Sequence, residues 1–438
     1  MHLHSMLMTV ASVPVTLFAL SSPSSALVQD APAEGFDAVG DPYPGGGLTA
    51  TLANGDVLTF DGVVVSRFDE DGNHVEDLAT LPGFVFGSFL IASPDESFAI
   101  LGESSAHNVY RIDLGLGGES VLTNLVFNYD GVFETATSLV VSAATCGFGC
   151  GNELYRVDTT SGATTLIATV GGASGPVAVE ADGDVVYGRV SDTFSLGDYK
   201  VLRFAAADLT GAPVASEADA VVVGDGFDGS TDLAIDPIDG AIYLAENDFV
   251  SGLNRIRHVR GDAAVSTTVL DGQTGRTIGN LEFAAGDGTA RFRAYQPLAG
   301  GALRYNSTDF VSAFERGRVV PERPTLGLSG PGTSGAGDVT ATVSSGTPNG
   351  FAVLAYGPTA LFDRNESPLF LSALEAPLFV GLDLATVQLD LNLIALDASG
   401  TGQLAFPHDG SLLGLVTGQA VVFDDLGAVV QLSRDASL

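Results

Sequence analysis

The sequence predicts an all-β protein: a six-bladed β-propeller over residues 47–320, followed by a β-sandwich over residues 325–438. Three observations lead to this prediction. The chain contains a repeat of about 45 residues, each period holds hairpin-like strand pairs, and helical periodicity is absent from this stretch. A period of that length with about four short strands is typical of propeller blades.

Each repeat carries an arginine on a strand-like segment with apolar or aromatic neighbours. The six arginines are Arg67, Arg111, Arg156, Arg203, Arg257 and Arg304, and their spacings are 44, 45, 47, 54 and 47 residues. Upstream of the arginines, apolar and polar residues alternate across Asp-Gly turns, which predicts hairpins. Six equivalent positions cannot all belong to one active site. We therefore interpret the arginines as structural, with each guanidinium lying over a blade edge.

The segment TDLAIDPIDGAIYLA, residues 231–245, resembles the six-bladed propellers of the NHL and gluconolactonase-like type. The resemblance covers about 270 residues. It implies the architecture and leaves the function open, because this sequence pattern recurs in enzymes, receptors and scaffolds.

The N-terminus has the pattern of a signal peptide. Residues 7–20 form an apolar run, and Ser24, Ser25 and Ala26 provide a small-residue cleavage site. We expect a signal peptide over residues 1–26 and a linker over 27–46. The protein is then secreted, periplasmic or exposed at the cell surface. The alternative is a buried N-terminal strand or helix. No other segment reaches the length of a membrane span.

The two cysteines of the chain, Cys146 and Cys150, stand in a glycine-rich stretch. Export favours a disulfide between them that closes a short loop. A structural zinc site would need four ligands, and a redox pair is usually spaced C-x-x-C.

The charge balance restricts the partners. The chain has 53 acidic and 18 basic residues, a formal net charge of −35. Such a chain is repelled by phosphate backbones, so we expect no nucleic-acid partner, and anionic membranes are disfavoured for the same reason. Cations and neutral ligands remain open.

The segment after residue 320 differs in composition and sequence pattern from the repeats. Residues 321–324 (PERP) break the pattern, and Gly/Ser/Thr-rich stretches then alternate with short strands, which suits a β-sandwich. The residues Gly414–Ala420, Asp424 and Leu432–Ser433 resemble a C-terminal module of secreted planctomycete-type proteins. That resemblance implies a secreted context.

A ligand site is expected in the central channel, where the innermost strands converge. The expected strand starts are Ser88, Thr135, Gly175, Thr231–Asp232 and Asn280. In gluconolactonase-like propellers a channel Ca²⁺ or Zn²⁺ is held by Glu, Asn and Asp and polarises the substrate carbonyl. The resemblance implies Asp232 and Asn280 as ligands, with Glu134 as a third. The alternative is that these side chains bond backbone at the strand starts.

A second candidate metal site is the loop that enters the fifth blade. Its carboxylates Asp225, Asp228 and Asp232 are separated by flexible glycine-containing spacers and would supply oxygen ligands to Ca²⁺. The alternative is a solvated acidic loop. The candidate metal residues of the sequence are therefore Asp225, Asp228, Asp232 and Asn280.

Signatures of several enzyme classes are missing, namely G-x-S-x-G, H-E-x-x-H and the P-loop. We therefore expect a secreted, non-catalytic binding or surface scaffold that recognises an extracellular protein or a neutral ligand through one propeller face. The alternative is a Ca- or Zn-dependent hydrolase of lactonase type that works in the channel. A third possibility is that the sandwich is the working module and the propeller a spacer. No catalytic residue is assigned from the sequence.

Overall fold

The computed structural model is nearly all-β. It describes residues 30–33, 36–40, 47–146, 151–237, 240–283, 302–309, 314–321, 325–329, 337–344, 349–358, 369–371, 376–378, 388–408, 416–423, 429–432 and 436–437. Within these residues the helical elements are two single turns of 3-10 helix, Ala206–Asp208 and Glu217–Asp219. No helix in the described part is long and apolar enough to cross a bilayer.

Six sheets of four or five strands form the blades of a propeller, and the predicted six-bladed architecture is confirmed. The strands of the N-terminal segment and the first three blades are β1 (Ala31–Pro32), β2 (Phe36–Gly40), β3 (Leu48–Thr51), β4 (Val57–Phe60), β5 (Val64–Phe68), β6 (His74–Thr80), β7 (Gly87–Ala92), β8 (Phe98–Glu103), β9 (Asn108–Asp113), β10 (Glu119–Asn124), β11 (Asp130–Thr135), β12 (Ser138–Ala143), β13 (Asn152–Asp158) and β14 (Thr164–Val170).

The remaining three blades repeat the same up-and-down order. The strands of this part of the chain are β15 (Val177–Val179), β16 (Val185–Arg189), β17 (Tyr199–Phe204), β18 (Ala215–Ser216), β19 (Val221–Phe227), β20 (Asp232–Ile235), β21 (Ile242–Asn247), β22 (Asn254–His258), β23 (Thr267–Asp271), β24 (Thr277–Phe283), β25 (Leu303–Thr308) and β26 (Phe314–Pro321). The short strand β18 joins the outer edge of the third blade.

The innermost strands form a closed ring around the channel. Strands β3, β7, β11, β15, β20 and β24 contact one another in that order, and β24 contacts β3. Five hydrophobic clusters, each built from two neighbouring blades, fill the space between the sheets. The apolar and β-branched residues that alternate along the strands thus pack face to face between blades.

The last blade is closed by the N-terminal segment. Strand β2 pairs antiparallel with β26 as the fourth strand of the sixth blade, with Phe36 opposite Pro321 and Gly40 opposite Gly317. Strand β1 pairs with β23 at the edge of the fifth blade. The segment expected as a linker over 27–46 therefore contributes two strands to the propeller instead. A propeller gains from this pairing because it joins the two ends of the ring.

The repeated arginines have a structural role, as expected, but through ion pairs inside each blade. In three blades an arginine of the third strand reaches back to a carboxylate at the end of the first strand or in the turn that follows. The pairs are Arg67–Asp56 at 2.5 Å, Arg156–Glu134 at 2.5 Å and Arg203–Glu180 at 2.6 Å. Arg304 is out of phase, because it lies on the second strand of its blade. There the equivalent pair is Arg316–Glu282.

The chain beyond the propeller forms three further sheets. Its strands are β27 (Thr325–Ser329), β28 (Gly337–Ser344), β29 (Phe351–Pro358), β30 (Leu369–Leu371), β31 (Ala376–Leu378), β32 (Gln388–Ala395), β33 (Gly402–His408), β34 (Val416–Phe423), β35 (Val429–Leu432) and β36 (Ala436–Ser437). The orders are β27-β28-β33, β32-β29-β34-β35 and β30-β31, and β36 also pairs with β34. One buried cluster draws residues from both larger sheets. The β-sandwich and the planctomycete-type module remain predictions for this segment.

Candidate functional site

A large cavity runs along the central channel and reaches one face of the propeller. Because successive strands of a blade run antiparallel, the starts of the first and third strands and the ends of the second strands share this face, which we call the mouth face. The cavity has a volume of about 1190 Å³. The innermost strands of all six blades line it.

Two aspartates from different blades face this cavity. Asp130 begins β11 and Asp232 begins β20, and each is half-buried. One oxygen of each carboxylate accepts a hydrogen bond from the next blade: Val177 N donates to Asp130 Oδ2 at 2.8 Å, and Leu281 N donates to Asp232 Oδ2 at 2.6 Å. The other oxygen accepts the N–H of the following residue at 2.7 Å in both cases. The carboxylates are therefore held in fixed orientations by backbone donors.

The two carboxylates disfavour each other's charge. Desolvation raises the pKa of Asp130 to about 6. Desolvation and the negative charge of Asp130 raise the pKa of Asp232 well above its ordinary value. Within the described residues no ion pair joins either carboxylate to a basic side chain. Without a cation, protonation of one of the two carboxylates relieves this repulsion.

Tyr129 lies beside the pair as a neutral phenol. Its hydroxyl donates a hydrogen bond to the carbonyl oxygen of Thr231 at 2.9 Å. Desolvation and the negative charges of Asp232 and Asp130 raise the pKa of Tyr129. The tyrosine thus crosses from the third to the fifth blade and stays protonated.

Asn280 uses its amide to join the sixth blade to the first. Its Oδ1 accepts a hydrogen bond from Thr49 N at 2.7 Å, and its Nδ2 donates to Thr49 O at 2.9 Å. Its backbone has a φ of 54°, a left-handed conformation that asparagine tolerates better than most residues. The alternative of backbone bonding therefore describes Asn280, although this residue is the fourth of β24 and not the expected strand start. Asp232 shares this backbone role but also lies next to a second carboxylate.

The loop carboxylates Asp225 and Asp228 occupy other surroundings. Asp228 accepts a hydrogen bond from Gly197 N at 3.0 Å and faces Arg255 Nη2 at 3.4 Å. Asp225 accepts the N–H of Gly226 at 2.7 Å. Asp232 points into the channel instead, so the structure does not gather the three carboxylates of this loop into one group.

Among the described residues, a group of three acidic side chains that could hold a cation is formed by Glu180, Asp182 and Asp184, in the turn between β15 and β16. Their oxygens lie within 4.8 Å of one another. Glu180 is already paired with Arg203, and Asp182 accepts the N–H of Asp184 at 3.1 Å. We interpret this group as a hairpin turn stabilised by its own hydrogen bonds.

Glu134, the third ligand implied by the resemblance, is engaged with Arg156. Two hydrogen bonds join the side chains, from Nε to Oε2 at 2.7 Å and from Nη2 to Oε1 at 2.5 Å. Desolvation raises the pKa of Glu134, but hydrogen bonds from Arg156 and Ser138 outweigh it and leave the pKa below its ordinary value. The Glu134 carboxylate therefore forms an ion pair within its own blade.

The disulfide stays a prediction. Cys146 is exposed at the end of the described range 47–146, and Cys150 lies outside the described residues. The signal peptide over 1–26 also lies outside them.

Asp130 is the site residue that the sequence reasoning missed. The expected start of the third inner strand was Thr135, but β11 begins at Asp130 and Thr135 is its last residue. The available signal was the aromatic-acidic step Tyr129-Asp130 just before an apolar alternation, which matches the polar step Thr231-Asp232 two blades later.

Comparison with known proteins gives similarities of fold. No protein-family model and no curated protein matches the sequence. A gluconolactonase from Xanthomonas campestris matches with 12% identity and a TM-score of 0.49, covering 69% of this chain and 99% of that one. Regucalcin, a calcium-binding protein from Agrobacterium tumefaciens, matches with 15% identity and a TM-score of 0.43, covering 63% and 90%. A PQQ-bound aldose sugar dehydrogenase from Streptomyces coelicolor matches with 13% identity and a TM-score of 0.45, covering 66% and 100%.

Proposed function

We propose that this protein is a hydrolase of the lactonase type, with Ca²⁺ or Zn²⁺ as its cofactor, and that Asp130 and Asp232 form the polar centre of its channel. The proposal rests on one observation. Two carboxylates from separate blades lie in electrostatic contact within a large cavity, and in the described residues no basic side chain offsets them. Perturbed carboxylates in a cleft are typical of functional sites.

The donor set suits a hard divalent cation. The pair supplies carboxylate oxygens, which Ca²⁺ prefers, and each oxygen accepts one backbone N–H bond and retains capacity for a further ligand. The cavity also contains an amide oxygen from the sixth blade, since Asn306 lines it and the buried Oδ1 of this residue has no hydrogen-bond partner. When bound, the cation would supply Lewis-acid polarisation of an ester carbonyl.

The residues of the chain contribute proton transfer and orientation. Burial raises the pKa of Asp130 to about 6 in the cation-free protein, and a bound cation would hold this carboxylate ionised, the state in which it can accept a proton from water. The backbone donors at Val177 and Leu281 hold the two carboxylates in place from neighbouring blades. Tyr129 remains neutral and fixes the distance between the third and fifth blades.

The scaffold prediction is less well supported by this geometry. A scaffold that binds a partner through its surface has no use for two desolvated carboxylates whose repulsion destabilises the fold. We also propose that the protein is exported, because its first 26 residues have the pattern of a signal peptide.

The test is hydrolysis of neutral lactones by metal-stripped protein to which Ca²⁺ or Zn²⁺ is returned. We expect activity that depends on one of these cations and a fall in kcat/KM of at least about 100-fold in Asp130→Asn and in Asp232→Asn. Asp182→Asn, which alters an exposed carboxylate in the acidic turn, is the matched control and should keep full activity. Lactone hydrolysis that is unaffected in both channel variants, or absent with either cation, contradicts the proposal.

A further inference from the structure

Exposed phenylalanines are concentrated on the mouth face. In the described part of the chain, each phenylalanine that is largely exposed lies in a loop or at a strand start on this face: Phe84, Phe86, Phe127, Phe194, Phe249 and Phe314. Four of them, Phe84, Phe86, Phe249 and Phe314, also line the cavity, and we call these four the aromatic rim. Phe249 is 70% exposed.

The rim is built into the fold. Phe84 lies directly over Gly62, where a Cβ would collide with the ring, so this glycine makes room for it. The rings of Phe84 and Phe86 meet edge to face, with centroids 5.3 Å apart. Phe314 is the first residue of β26. These rings are therefore held beside the channel opening by the strands and turns of several blades.

Below the rim the walls of the cavity are mostly apolar. The lining includes Leu48, Phe60, Phe89, Leu233 and Leu281. Several polar side chains of the lining are already satisfied by the protein. Asn128 donates to three backbone carbonyls and accepts from Ser88, and Asn280 is bonded to Thr49. A ligand with many hydroxyls would find few free partners here.

Exposure of aromatic rings to water is unfavourable in free energy, and a bound apolar group removes part of that exposed surface. Contiguous exposed apolar surface beside a pocket marks a binding site, and the hydrophobic effect acts on the area removed from water. Negatively charged ligands are repelled by the carboxylate pair and by the net charge of −35. The cavity thus fits a neutral molecule with a small polar head and a long apolar part.

We propose that the substrates are neutral lactones with a long alkyl or aryl substituent: the polar ring lies at the Asp130–Asp232 pair and the substituent lies against the aromatic rim. This inference rests on the proposed hydrolase function for the identity of the head group. The apolar part of the ligand is argued from the rim and walls alone, so the two can be tested apart.

The experiment measures the binding of lactams, which resemble lactones but resist hydrolysis, with alkyl substituents of two to eight carbons. Calorimetry on the whole protein should give a dissociation constant that falls about fourfold for each added methylene. In the double variant Phe249→Ala and Phe314→Ala, the eight-carbon lactam should bind at least tenfold more weakly while the two-carbon lactam is unchanged. Phe194→Ala, an exposed ring of the same face that does not line the cavity, is the control and should bind like the wild type.

The outcomes separate the two proposals. Affinity that is independent of chain length, or equally sensitive to Phe194→Ala, overturns the assigned ligand class even if short lactones are hydrolysed. Chain-length dependence through the rim without hydrolysis of any matching lactone supports the ligand class and contradicts the hydrolase. The chain-length series on the wild-type protein decides the question if the double variant fails to fold.

Discussion

The Asp130–Asp232 pair should make the propeller less stable as the pH rises from about 4 to 6. In the folded protein Asp130 keeps its proton up to a pKa of about 6, whereas its ordinary pKa is 3.8. Between these values the folded state binds more protons than the unfolded state, so the free energy of unfolding falls as the pH rises. A pKa difference of about two corresponds to roughly 3 kcal/mol for this group alone.

The substitution Asp130→Asn removes this contribution. Chemical denaturation in EDTA, followed by far-ultraviolet circular dichroism at pH 4.5 and pH 7, gives the change in unfolding free energy for each variant. The wild type should lose about 2 kcal/mol more over this interval than Asp130→Asn does, because part of the effect is already lost at pH 4.5. An absolute loss of stability in the variant is also expected, because asparagine offers one acceptor oxygen where two backbone donors converge.

The control for general charge repulsion is Asp182→Asn, which removes one exposed carboxylate and leaves the pair intact. It should show the pH dependence of the wild type. If Asp130→Asn retains the full pH dependence, burial does not raise the pKa of Asp130, and the reasoning that leads to the site is refuted.

Three further predictions concern the fold and the cation. Glu134→Gln should lower the unfolding free energy by about 1–3 kcal/mol in chemical denaturation, because Arg156 loses a two-bond partner; an unchanged stability would show that the ion pair contributes nothing. A chain that starts at Gly47 lacks β2 and should melt at a lower temperature than the chain that includes it, whereas equal melting temperatures would mean that the closing strand is dispensable. Saturating Ca²⁺ or Zn²⁺ should raise the melting temperature of the wild type and have little effect on Asp232→Asn; an equal rise in both would place the cation elsewhere.

Much of the propeller could be predicted because its blades repeat. The arginine period marks the third strand in most blades, since Arg67, Arg156 and Arg203 each form the same ion pair. The pattern fails at Arg304, where an arginine on the second strand has the expected spacing and neighbours. The spacing of the arginines is a distance along the chain, and it does not show which strand of a hairpin each arginine occupies.

The N-terminal strands could not be predicted from local sequence. Strand β2 pairs with β26, about 280 residues away in the chain, and its sequence FDAVG between polar and glycine-rich stretches resembles a linker. Its conformation is fixed by the edge that the last blade presents. A strand whose partner lies so far along the chain leaves little local signal.

The candidate site was predicted in part. Asp232 was identified from its position at a strand start, but its partner Asp130 was missed, because the two lie on blades that are not adjacent in sequence. Asn280 was expected at a comparable position, but it is the fourth residue of β24 and its amide is bonded to Thr49. Three-dimensional contacts decide which polar side chains are hydrogen-bonded to backbone groups. They also decide which side chains lie close to a neighbour of like charge.

The most direct test of the central claim is a calorimetric titration of Ca²⁺, and then Zn²⁺, into the metal-stripped protein at neutral pH. We predict one saturable site in the wild type and in Asp182→Asn, and loss of that site when Asp130 and Asp232 are both changed to asparagine. Saturable binding that survives the double substitution, or no binding of either cation to the wild type, would contradict the assignment of the channel pair as a cation-dependent catalytic centre.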